Sequence, residues 1–284
     1  MVQDAIRKSD ILIEALPYIK KFHKKIFIIK YGGSILSEER IRKCVLEDIT
    51  FLRYAGIRPI IVHGGGPNIT EKLRESKIVT EFVEGMRVTN EATLQIVEQE
   101  LNNLNDLIVK EIEVHGIKAV GFKKQDNILT VEKKIGSVDL GFVGEVIGFD
   151  RDKLESVLKE SVPVICPMGL SKEGDAFNIN ADDVAFYLAS QLKAEKLVLL
   201  TNVYGVMRDP KDKNSLISSM NLHEVEELIE EKTIEEGMIP KVRAAAKAIQ
   251  NGVGKAHIVD AKIPHALLLE IFTDKGISTE IVGE

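Results

Sequence analysis

The sequence predicts an α/β fold in which helices cover both faces of a mostly parallel sheet. Apolar runs at 25–33, 57–66 and 195–206 alternate along the chain with longer segments of helical periodicity. Continuous apolar runs are typical of strands that are buried on both faces, whereas half-exposed strands alternate apolar and polar residues. Repeated alternation of strand and helix favours parallel strands, and such sheets bind ligands at the carboxyl ends of their strands.

The remaining elements follow in chain order from periodicity and from helix-ending residues. The segment 5–22 predicts an amphipathic helix that is kinked at Pro17, because proline cannot continue the hydrogen-bond ladder of a helix. Hairpin-like alternation over 123–149 predicts an antiparallel excursion, and 161–170 predicts one buried strand. The other predicted elements are helices 39–56, 68–77, 90–116, 181–194, 223–232, 240–254 and 264–272, and strands 117–122, 255–261 and 277–282.

The composition is typical of a globular protein of one large or two modest domains. Of the 284 residues, 44% are hydrophobic and 29% are charged, and the formal net charge is −6. This acidic balance disfavours general binding to nucleic acids or anionic membranes, which depends on clustered Lys and Arg. No linker, long repeat or low-complexity tract interrupts the chain, so we expect one domain with two lobes.

The cysteine count and the lack of long apolar stretches bear on the compartment. Cys44 and Cys166 are too few for a disulfide framework or a zinc cluster, so we expect two reduced thiols. No apolar stretch approaches the ~18 residues of a membrane-spanning helix, and no signal-peptide core is recognisable. We therefore expect a cytoplasmic protein, or a stromal one if the chain is plastid-derived.

Glycines follow two of the predicted strands and indicate an anion-binding site. Gly32 and Gly33 end the first strand, and the glycines at 64–66 end the second. Glycine lets the backbone turn sharply or approach an anion closely, and a following helix directs its free N–H groups at the ligand. Ordinary tight turns are the alternative for either loop alone. Neither loop matches the Walker A or G-x-G-x-x-G pattern.

Two lysines are placed where they could face such an anion. Lys30 ends a strand immediately before the glycines, and Lys241 follows a proline at a predicted helix start. Phosphoryl transfer spreads charge over the transferring group, so cations on both sides, with Mg²⁺ as partner, lower the barrier. For each lysine taken alone, a solvated surface charge is the alternative.

The segment FNINADD at 177–183 supplies further polar candidates. Asn178 and Asn180 point the same way, and Asp182 or Asp183 lies in the first turn of the next helix. Helix capping is the alternative explanation for this segment. Arg87 is a candidate clamp for a carboxylate, although a single Arg is usually a surface residue.

Other reaction classes find no support in the sequence. There is no H-E-x-x-H metal motif and no G-x-S-x-G nucleophile elbow. His63, next to the glycines, is interpreted as a residue that orients the loop. No general base is conspicuous, and an acceptor that is already charged would need none.

Eight motifs together resemble those of the amino acid kinase family, and more narrowly those of its N-acetylglutamate kinases, over nearly the whole chain. In order, they are KYGGS, IIVHGGGP, GMRVT, GFVGEV, FNINAD, KLVLLTNVYGV, GMIPKV and PHALLLEIFTDKGI. The resemblance implies a three-layer αβα sandwich of the carbamate kinase-like type. It also implies ATP-dependent phosphorylation of the γ-carboxylate of N-acetyl-L-glutamate, the second step of arginine synthesis, with Mg²⁺ carried by ATP and no protein-bound metal.

The resemblance assigns roles by position. Lys30 and Lys241 match the lysines that stabilise the transition state, and Asp182 matches the carboxylate that organises them. It places acetylglutamate at Gly65, Gly66, Arg87, Asn178 and Asn180. It places the nucleotide at Gly32, Gly33, Thr201, Asn202, Tyr204, Gly205 and Met207.

The resemblance also implies an organisation and a regulation. Residues 1–22 match an extension that interlaces dimers into a homohexamer, a trimer of dimers, while 23–194 and 195–284 match an acetylglutamate lobe and a nucleotide lobe. Members with this extension are inhibited by L-arginine, and the candidate arginine contacts are Lys196, His265, Glu270 and Gly276. Part of the family also binds a PII-type signalling protein.

Two alternatives stay open at this point. One is a related kinase of another acidic amino acid, because Arg87 with Asn178 would accept several carboxylates. The other is an arginine-sensing regulatory homologue without turnover, because Asn202, Tyr204 and Glu236 depart from the family pattern.

Overall fold

A computed structural model describes residues 2–83, 85–209, 211–234, 238–273 and 276–283 of the chain. The strands are β1 (Ile26–Tyr31), β2 (Arg58–His63), β3 (Phe82–Val83), β4 (Met86–Arg87), β5 (Ala119–Phe122), β6 (Leu129–Lys133), β7 (Val143–Phe149), β8 (Val162–Ile165), β9 (Met168–Leu170), β10 (Ala176–Ile179), β11 (Lys196–Thr201), β12 (Ser219–Asn221), β13 (Lys255–Asp260) and β14 (Thr279–Val282).

Helices make up most of the remaining chain. They are α1 (Val2–Glu14), α2 (Leu16–Phe22), α3 (Gly33–Leu36), α4 (Glu39–Tyr54), α5 (Gly66–Glu75), α6 (Glu91–Val114), α7 (Arg151–Glu160), α8 (Ala181–Leu192), α9 (Leu222–Glu230), α10 (Ile239–Gln250) and α11 (Ala266–Ile271), with 3₁₀ turns at Lys124–Asp126 and Lys213–Ser215. Among the described residues, no helix combines the length and the apolar character that a membrane crossing requires.

The central sheet has the strand order β12, β14, β13, β11, β1, β2, β8, β5. All neighbours from β13 to β5 are parallel, whereas β14 is antiparallel to β13. Successive side chains of β1 enter opposite cores: Ile28 joins the core with α7, α8 and α10, while Phe27 and Ile29 join the core with α4, α6 and α11. The predicted mostly parallel sheet between two helical layers is confirmed.

A smaller sheet, a closed barrel of β6, β7, β9 and β10, lies beside the central one. The antiparallel pairing of β6 with β7 confirms the excursion predicted over 123–149. The single strand predicted over 161–170 is wrong, because this segment divides into β8 in the central sheet and β9 in the barrel. Pro167 lies at the division, and proline has no N–H with which to continue a ladder.

The N-terminal segment is helical on both sides of a break. Helix α1 ends at Glu14 and α2 begins at Leu16, so Ala15 separates them and Pro17 lies in the first turn of α2. Proline is tolerated in a first turn, where its missing N–H would have no helical partner. Phe22 at the end of α2 is buried in the core, whereas the large apolar side chains of α1 are exposed.

A buried polar network fixes the loop that follows β2. His63 is fully buried, and its Nδ1 lies 3.1 Å from the carbonyl oxygen of Gly64. Asn105 of α6 donates from Nδ2 to the carbonyl of Val164, at 3.0 Å, and lies 3.1 Å from His63 Nε2. Because the amide nitrogen can only donate, Nε2 accepts and the proton resides on Nδ1. His63 is therefore a neutral residue that orients the loop, as the sequence predicts.

Burial lowers the pKa of His63 to about 4, which makes the stability of the protein depend on pH. An unfolded histidine has a pKa of about 6.5, so between these values only the unfolded state takes up a proton. The contribution of neutral His63 to the unfolding free energy is complete above about pH 6.5 and is lost as the pH falls towards 4. Between pH 7 and pH 5, we expect His63 alone to remove about 2 kcal/mol of the unfolding free energy.

Denaturant unfolding at the two pH values, at fixed protein concentration, checks this expectation. The pH-dependent loss should be about 2 kcal/mol smaller in His63→Gln, since glutamine does not titrate. His223→Gln removes an exposed histidine and is the matched control, with the loss expected to equal that of the wild type. An identical loss of unfolding free energy in the wild type, His63→Gln and His223→Gln would contradict the low pKa assigned to His63.

Candidate active site

The candidate site lies where three adjacent strands of the central sheet end. Strand β1 pairs with β11 on one side and with β2 on the other, and Lys30 lies in register with Leu199 and Val62. The glycine loop after β1 and the glycine loop after β2 therefore start side by side. This parallel pairing brings together residues that are about thirty positions apart in the chain.

The two glycine loops touch through their backbones. The amide of Gly64 donates to the carbonyl of Tyr31 at 2.8 Å. A Cβ on Gly33 would lie 2.8 Å from the Gly66 nitrogen and 2.9 Å from the Gly65 nitrogen, which is closer than real Cβ contacts. Glycine at position 33 is thus required by the close approach of the second loop.

The second loop also forms the start of a helix. Gly65 is the N-cap residue of α5 and Gly66 is its first residue, and no side chain caps this end. The first N–H groups of a helix have no partner within it, and the helix dipole favours an anion there. The backbone at Gly65 and Gly66 is thus suited to binding an oxyanion.

An ion pair joins the end of β1 to the start of α8. Lys30 Nζ lies 3.0 Å from Asp182 Oδ1, and both side chains are largely buried. Asn180 caps α8 by accepting a hydrogen bond from the Asp182 amide at 2.8 Å, so both the capping and the charge interpretations of this segment apply. The cap holds Asp182 in place, and Asp182 in turn holds the lysine ammonium at the strand end.

Arg87 is a buried cation whose contacts are neutral oxygens and an aromatic ring. Its side chain donates to Thr70 Oγ1 at 2.8 Å and, at 3.3 Å each, to Thr80 Oγ1 and the Gly66 carbonyl. The guanidinium carbon lies 4.7 Å from the centre of the Phe82 ring. Burial lowers the pKa of Arg87, and no carboxylate among the described residues contributes to that pKa. A buried guanidinium without a counter-ion is suited to binding a carboxylate.

The two glycine loops, Lys30 and Arg87 line one cavity of about 320 Å³. Its walls include all five residues predicted to bind acetylglutamate together with one of the predicted catalytic lysines, namely Gly65, Gly66, Arg87, Asn178, Asn180 and Lys30. Asn178 Nδ2 approaches Thr89 Oγ1 at 3.5 Å, and this hydroxyl donates to the Arg87 carbonyl. Amide, guanidinium and ammonium groups therefore converge on one space.

The residues predicted for the nucleotide follow β1 and β11. Thr201 ends β11, and its hydroxyl contacts the backbone of Val203. Gly205 has a φ of +132°, and a Cβ there would lie 2.6 Å from Thr279 Oγ1. Asn202 and Tyr204 are exposed, Met207 forms a bridge with Leu216, and Gly32 precedes α3. Glu236 lies outside the described residues.

Lys241 does not line the cavity that contains Lys30. It lies in the first turn of α10, as the sequence predicts, and its side chain is partly exposed. Helix α10 packs against α8, the helix that carries Asp182. The structure thus places Lys241 on a neighbouring helix without a direct contact to Lys30 among the described residues.

A second cavity, of about 570 Å³, contains three of the four residues predicted to bind arginine. Lys196, Glu270 and Gly276 line it, and His265 does not. Nδ1 of His265 instead lies 2.7 Å from Asp48 Oδ1, on α4. The histidine in this cavity is His257 of β13, which the sequence analysis missed.

His257 links the two charged residues of this cavity. Its Nε2 lies 2.7 Å from Lys196 Nζ, and its Nδ1 lies 2.7 Å from Glu270 Oε1. Burial lowers the pKa of His257 and lowers that of Lys196 to about 8. Burial alone would raise the pKa of Glu270, but the hydrogen bond from His257 holds it below its usual value. The histidine is thus neutral at pH 7, accepting from Lys196 and donating to Glu270.

Comparison with known proteins gives one family and close relatives. The model of the amino acid kinase family matches residues 25–260. An acetylglutamate kinase from Desulforamulus reducens is 45% identical over 98% of this chain and 99% of its own length. The acetylglutamate kinase of Syntrophomonas wolfei is 45% identical over the full length of both chains.

Solved structures show the same fold. N-acetylglutamate synthase from Neisseria gonorrhoeae, in complex with coenzyme A and N-acetyl-glutamate, superimposes with a TM-score of 0.88 at 25% identity. The match covers 97% of this chain but only 63% of the synthase chain. Carbamate kinase from Giardia, at a TM-score of 0.67 and 15% identity, shares the fold. With its sequence, its fold and its glycine loops in agreement, this chain belongs to the amino acid kinase family.

Proposed function

We propose that this protein is an acetylglutamate kinase, which transfers the γ-phosphoryl group of ATP to the γ-carboxylate of N-acetyl-L-glutamate and makes N-acetyl-L-glutamyl 5-phosphate. This is the second step of arginine biosynthesis. The observation that carries the proposal is Arg87, a buried cation without a carboxylate partner among the described residues, in the same cavity as Lys30. The near full-length acetylglutamate kinase relatives support this choice of substrate.

At one end of the cavity, the geometry suits binding of a substrate that carries a carboxylate. Arg87 and Asn178 would bind a carboxylate and an amide of the substrate, since a guanidinium donates two parallel hydrogen bonds to a carboxylate. The γ-carboxylate is already ionised at pH 7, so the attack needs no general base. The protein's task is to bring two anions together and to offset their repulsion.

At the end of the cavity where the phosphoryl group is transferred, Lys30 and the loop amides offset the repulsion between the two anions. In the transition state, negative charge spreads over the equatorial oxygens of the transferring group, and fixed donors there lower the barrier. Lys30 would donate from its ammonium, and the N–H groups of Gly65 and Gly66 would donate from the backbone. Asp182 keeps the ammonium oriented rather than reacting itself. In this proposal, Lys241 approaches from the nucleotide side.

The nucleotide would bind next to this cavity, at the carboxyl ends of β1 and β11. Gly32 and Gly33 would face the phosphates, and Thr201, Asn202, Tyr204, Gly205 and Met207 would form the adjacent wall. Mg²⁺ would arrive with ATP and neutralise the phosphate oxygens. In the proposed division of the chain, 23–194 binds acetylglutamate and 195–284 binds the nucleotide.

Trapping of the acyl phosphate with hydroxylamine tests the activity and the role of Arg87 together. With ATP and Mg²⁺, we expect hydroxamate from N-acetyl-L-glutamate, and much less from glutamate or aspartate. Arg87→Lys keeps the charge but loses the planar fork, so the KM for acetylglutamate should rise about tenfold while the KM for ATP changes little.

Arg74→Lys, at an exposed arginine of α5 paired with Glu71, is the matched control and should behave as the wild type. A faster reaction with another acidic amino acid would favour the related-kinase alternative. Binding of acetylglutamate in calorimetry without any hydroxamate would favour the regulatory homologue, which the departures at Asn202, Tyr204 and Glu236 suggest.

We also propose that the 570 Å³ cavity binds L-arginine and that binding inhibits the enzyme. The cavity is lined by the carboxylates of Glu195, Glu270 and Glu280, which suit a guanidinium and an α-ammonium group. The same synthase from Neisseria gonorrhoeae has been crystallised with coenzyme A and L-arginine, and it superimposes with a TM-score of 0.83 at 25% identity.

Two histidine variants test this inhibition. His257→Gln breaks the link between Lys196 and Glu270, so we expect the arginine concentration for half-inhibition to rise about tenfold or more. His265→Gln, at the position that the sequence suggested, should keep the sensitivity of the wild type, because His265 lies outside the cavity. The measurement is the initial rate against arginine concentration. An equal loss of arginine sensitivity in His257→Gln and His265→Gln would contradict the assignment of His257 to the arginine site.

We propose further that α1 assembles the protein into a homohexamer, a trimer of dimers. An apolar surface on a terminal helix is typical of a contact with another chain. The exposed apolar residues of α1 and of the start of α2 are Val2, Ile6, Ile11, Leu12, Ile13 and Leu16. Binding of a PII-type signalling protein and a cytoplasmic or stromal location stay predictions.

Deletion of residues 2–14 tests the assembly without disturbing the core, because it removes α1 and leaves the buried Phe22 of α2 in place. Size-exclusion chromatography with light scattering should give hexamers for the full chain and dimers for the deletion. Substitution of exposed Val79 with Ser, which removes an apolar side chain elsewhere, should leave hexamers. A hexameric deletion variant would contradict the role of α1.

A further inference from the structure

We propose that Cys44, Glu47 and His265 form a site for a divalent ion of the zinc class, apart from the two cavities described above. One potential ligand atom from each of the three side chains lies within 4.8 Å of the other two. The sequence alone indicates no metal site, because Cys44 and Glu47 are far from His265 along the chain and form no recognisable metal motif. The three residues come together only through the fold.

Two elements bring these ligands together. Cys44 and Glu47 lie three positions apart on α4, so their side chains are neighbours on one face of this helix. His265 comes from the residue before α11, more than two hundred positions later in the chain, and α11 packs against α4. The site therefore joins an element of the first half of the chain to one of the last.

Asp48 orients the histidine in the way that carboxylates orient metal-binding histidines. Its side chain is 1% exposed, and its Oδ1 lies 2.7 Å from His265 Nδ1. This hydrogen bond leaves Nε2 as the nitrogen available to an ion and fixes the plane of the ring. A carboxylate behind a ligating imidazole is the usual supporting arrangement in metal sites.

The donor set selects the class of ion. A thiolate, an imidazole and a carboxylate suit zinc and its neighbours in the transition series, whereas calcium and magnesium require oxygen ligands. Around a tetrahedral zinc ion, such donors lie about 3.3 to 3.6 Å apart, so ion binding would draw these side chains together from separations of up to 4.8 Å. A water molecule would be the fourth ligand.

Access and proton balance are consistent with this site. Cys44 borders an open cavity of about 450 Å³, together with Glu38 and Lys262, so an ion can reach the thiol from solvent. Binding converts the Cys44 thiol to a thiolate and releases one proton to solvent, with no change in oxidation state. Because the ligands come from α4 and from the turn before α11, a bound ion would hold these two elements together.

Metal titration of the full-length enzyme, purified without metal under reducing conditions, tests the proposal. With Zn²⁺, we expect one bound ion per chain and a rise in Tm. With Co²⁺, we expect the near-ultraviolet charge-transfer band of a thiolate ligand. Cys44→Ser should abolish the band, and His265→Gln should weaken Zn²⁺ binding about tenfold or more.

Controls separate this site from nonspecific binding. His223→Gln removes an exposed histidine that lies beside Glu227 but has no cysteine near it, and it should bind as the wild type does. Asp48→Asn, with its folding checked by circular dichroism, should weaken binding about 10- to 100-fold without removing the thiolate band. Absence of binding, or equal binding in the wild type and Cys44→Ser, would overturn the proposal. Because the readouts are binding and spectra, the result is independent of the kinase activity.

Discussion

The backbone contact between the two glycine loops sets the geometry of the candidate active site. Gly33 lies against the amides of Gly65 and Gly66 because β1 and β2 are paired in register and both loops leave the sheet at the same edge. A side chain at position 33 would push the loops apart and move Lys30 relative to the start of α5. His63 and Asn105 hold the second loop from behind, so the approach is fixed on both sides.

The two cations of the cavity are held in different ways, and this difference fits different tasks. Lys30 has a counter-ion, Asp182, at 3.0 Å, which fixes its direction and partly offsets its charge. Arg87 has neutral partners, so its charge is available to an anion that enters the cavity. The counter-ion gives the Lys30 ammonium a fixed direction toward the reacting groups, whereas Arg87, without a carboxylate partner in the described part of the chain, can pair with a carboxylate of the substrate. The cavity therefore favours one orientation of an acidic substrate.

Local patterns predicted most of the fold and of the first cavity, because the residues involved lie next to strand ends. Lys30, the glycines at 64–66 and Asn180 all follow or end predicted elements, so their convergence follows from a parallel sheet. The sequence analysis missed the contacts that form only when separate elements of the fold come together. His265 and His257 are eight positions apart on either side of a turn, and only the pairing of β13 with β11 shows that His257 faces Lys196. Likewise, Cys44 meets His265 only because α11 packs on α4.

Strand β11 runs from the larger cavity to the proposed nucleotide site, and its length indicates how the two sites could communicate. Lys196 begins the strand inside the larger cavity, and Thr201 ends it beside the proposed nucleotide site, five positions and roughly 17 Å away. Strand β1 runs parallel to it, begins shortly after Phe22 of α2, which lines the larger cavity, and carries Lys30 near its carboxyl end. Because β1 and β11 are hydrogen-bonded in register, a ligand that displaced Lys196 would pass part of that displacement along the strand pair to its carboxyl ends. The coupling then requires two arrangements of this strand pair that the ligands bind with different affinities.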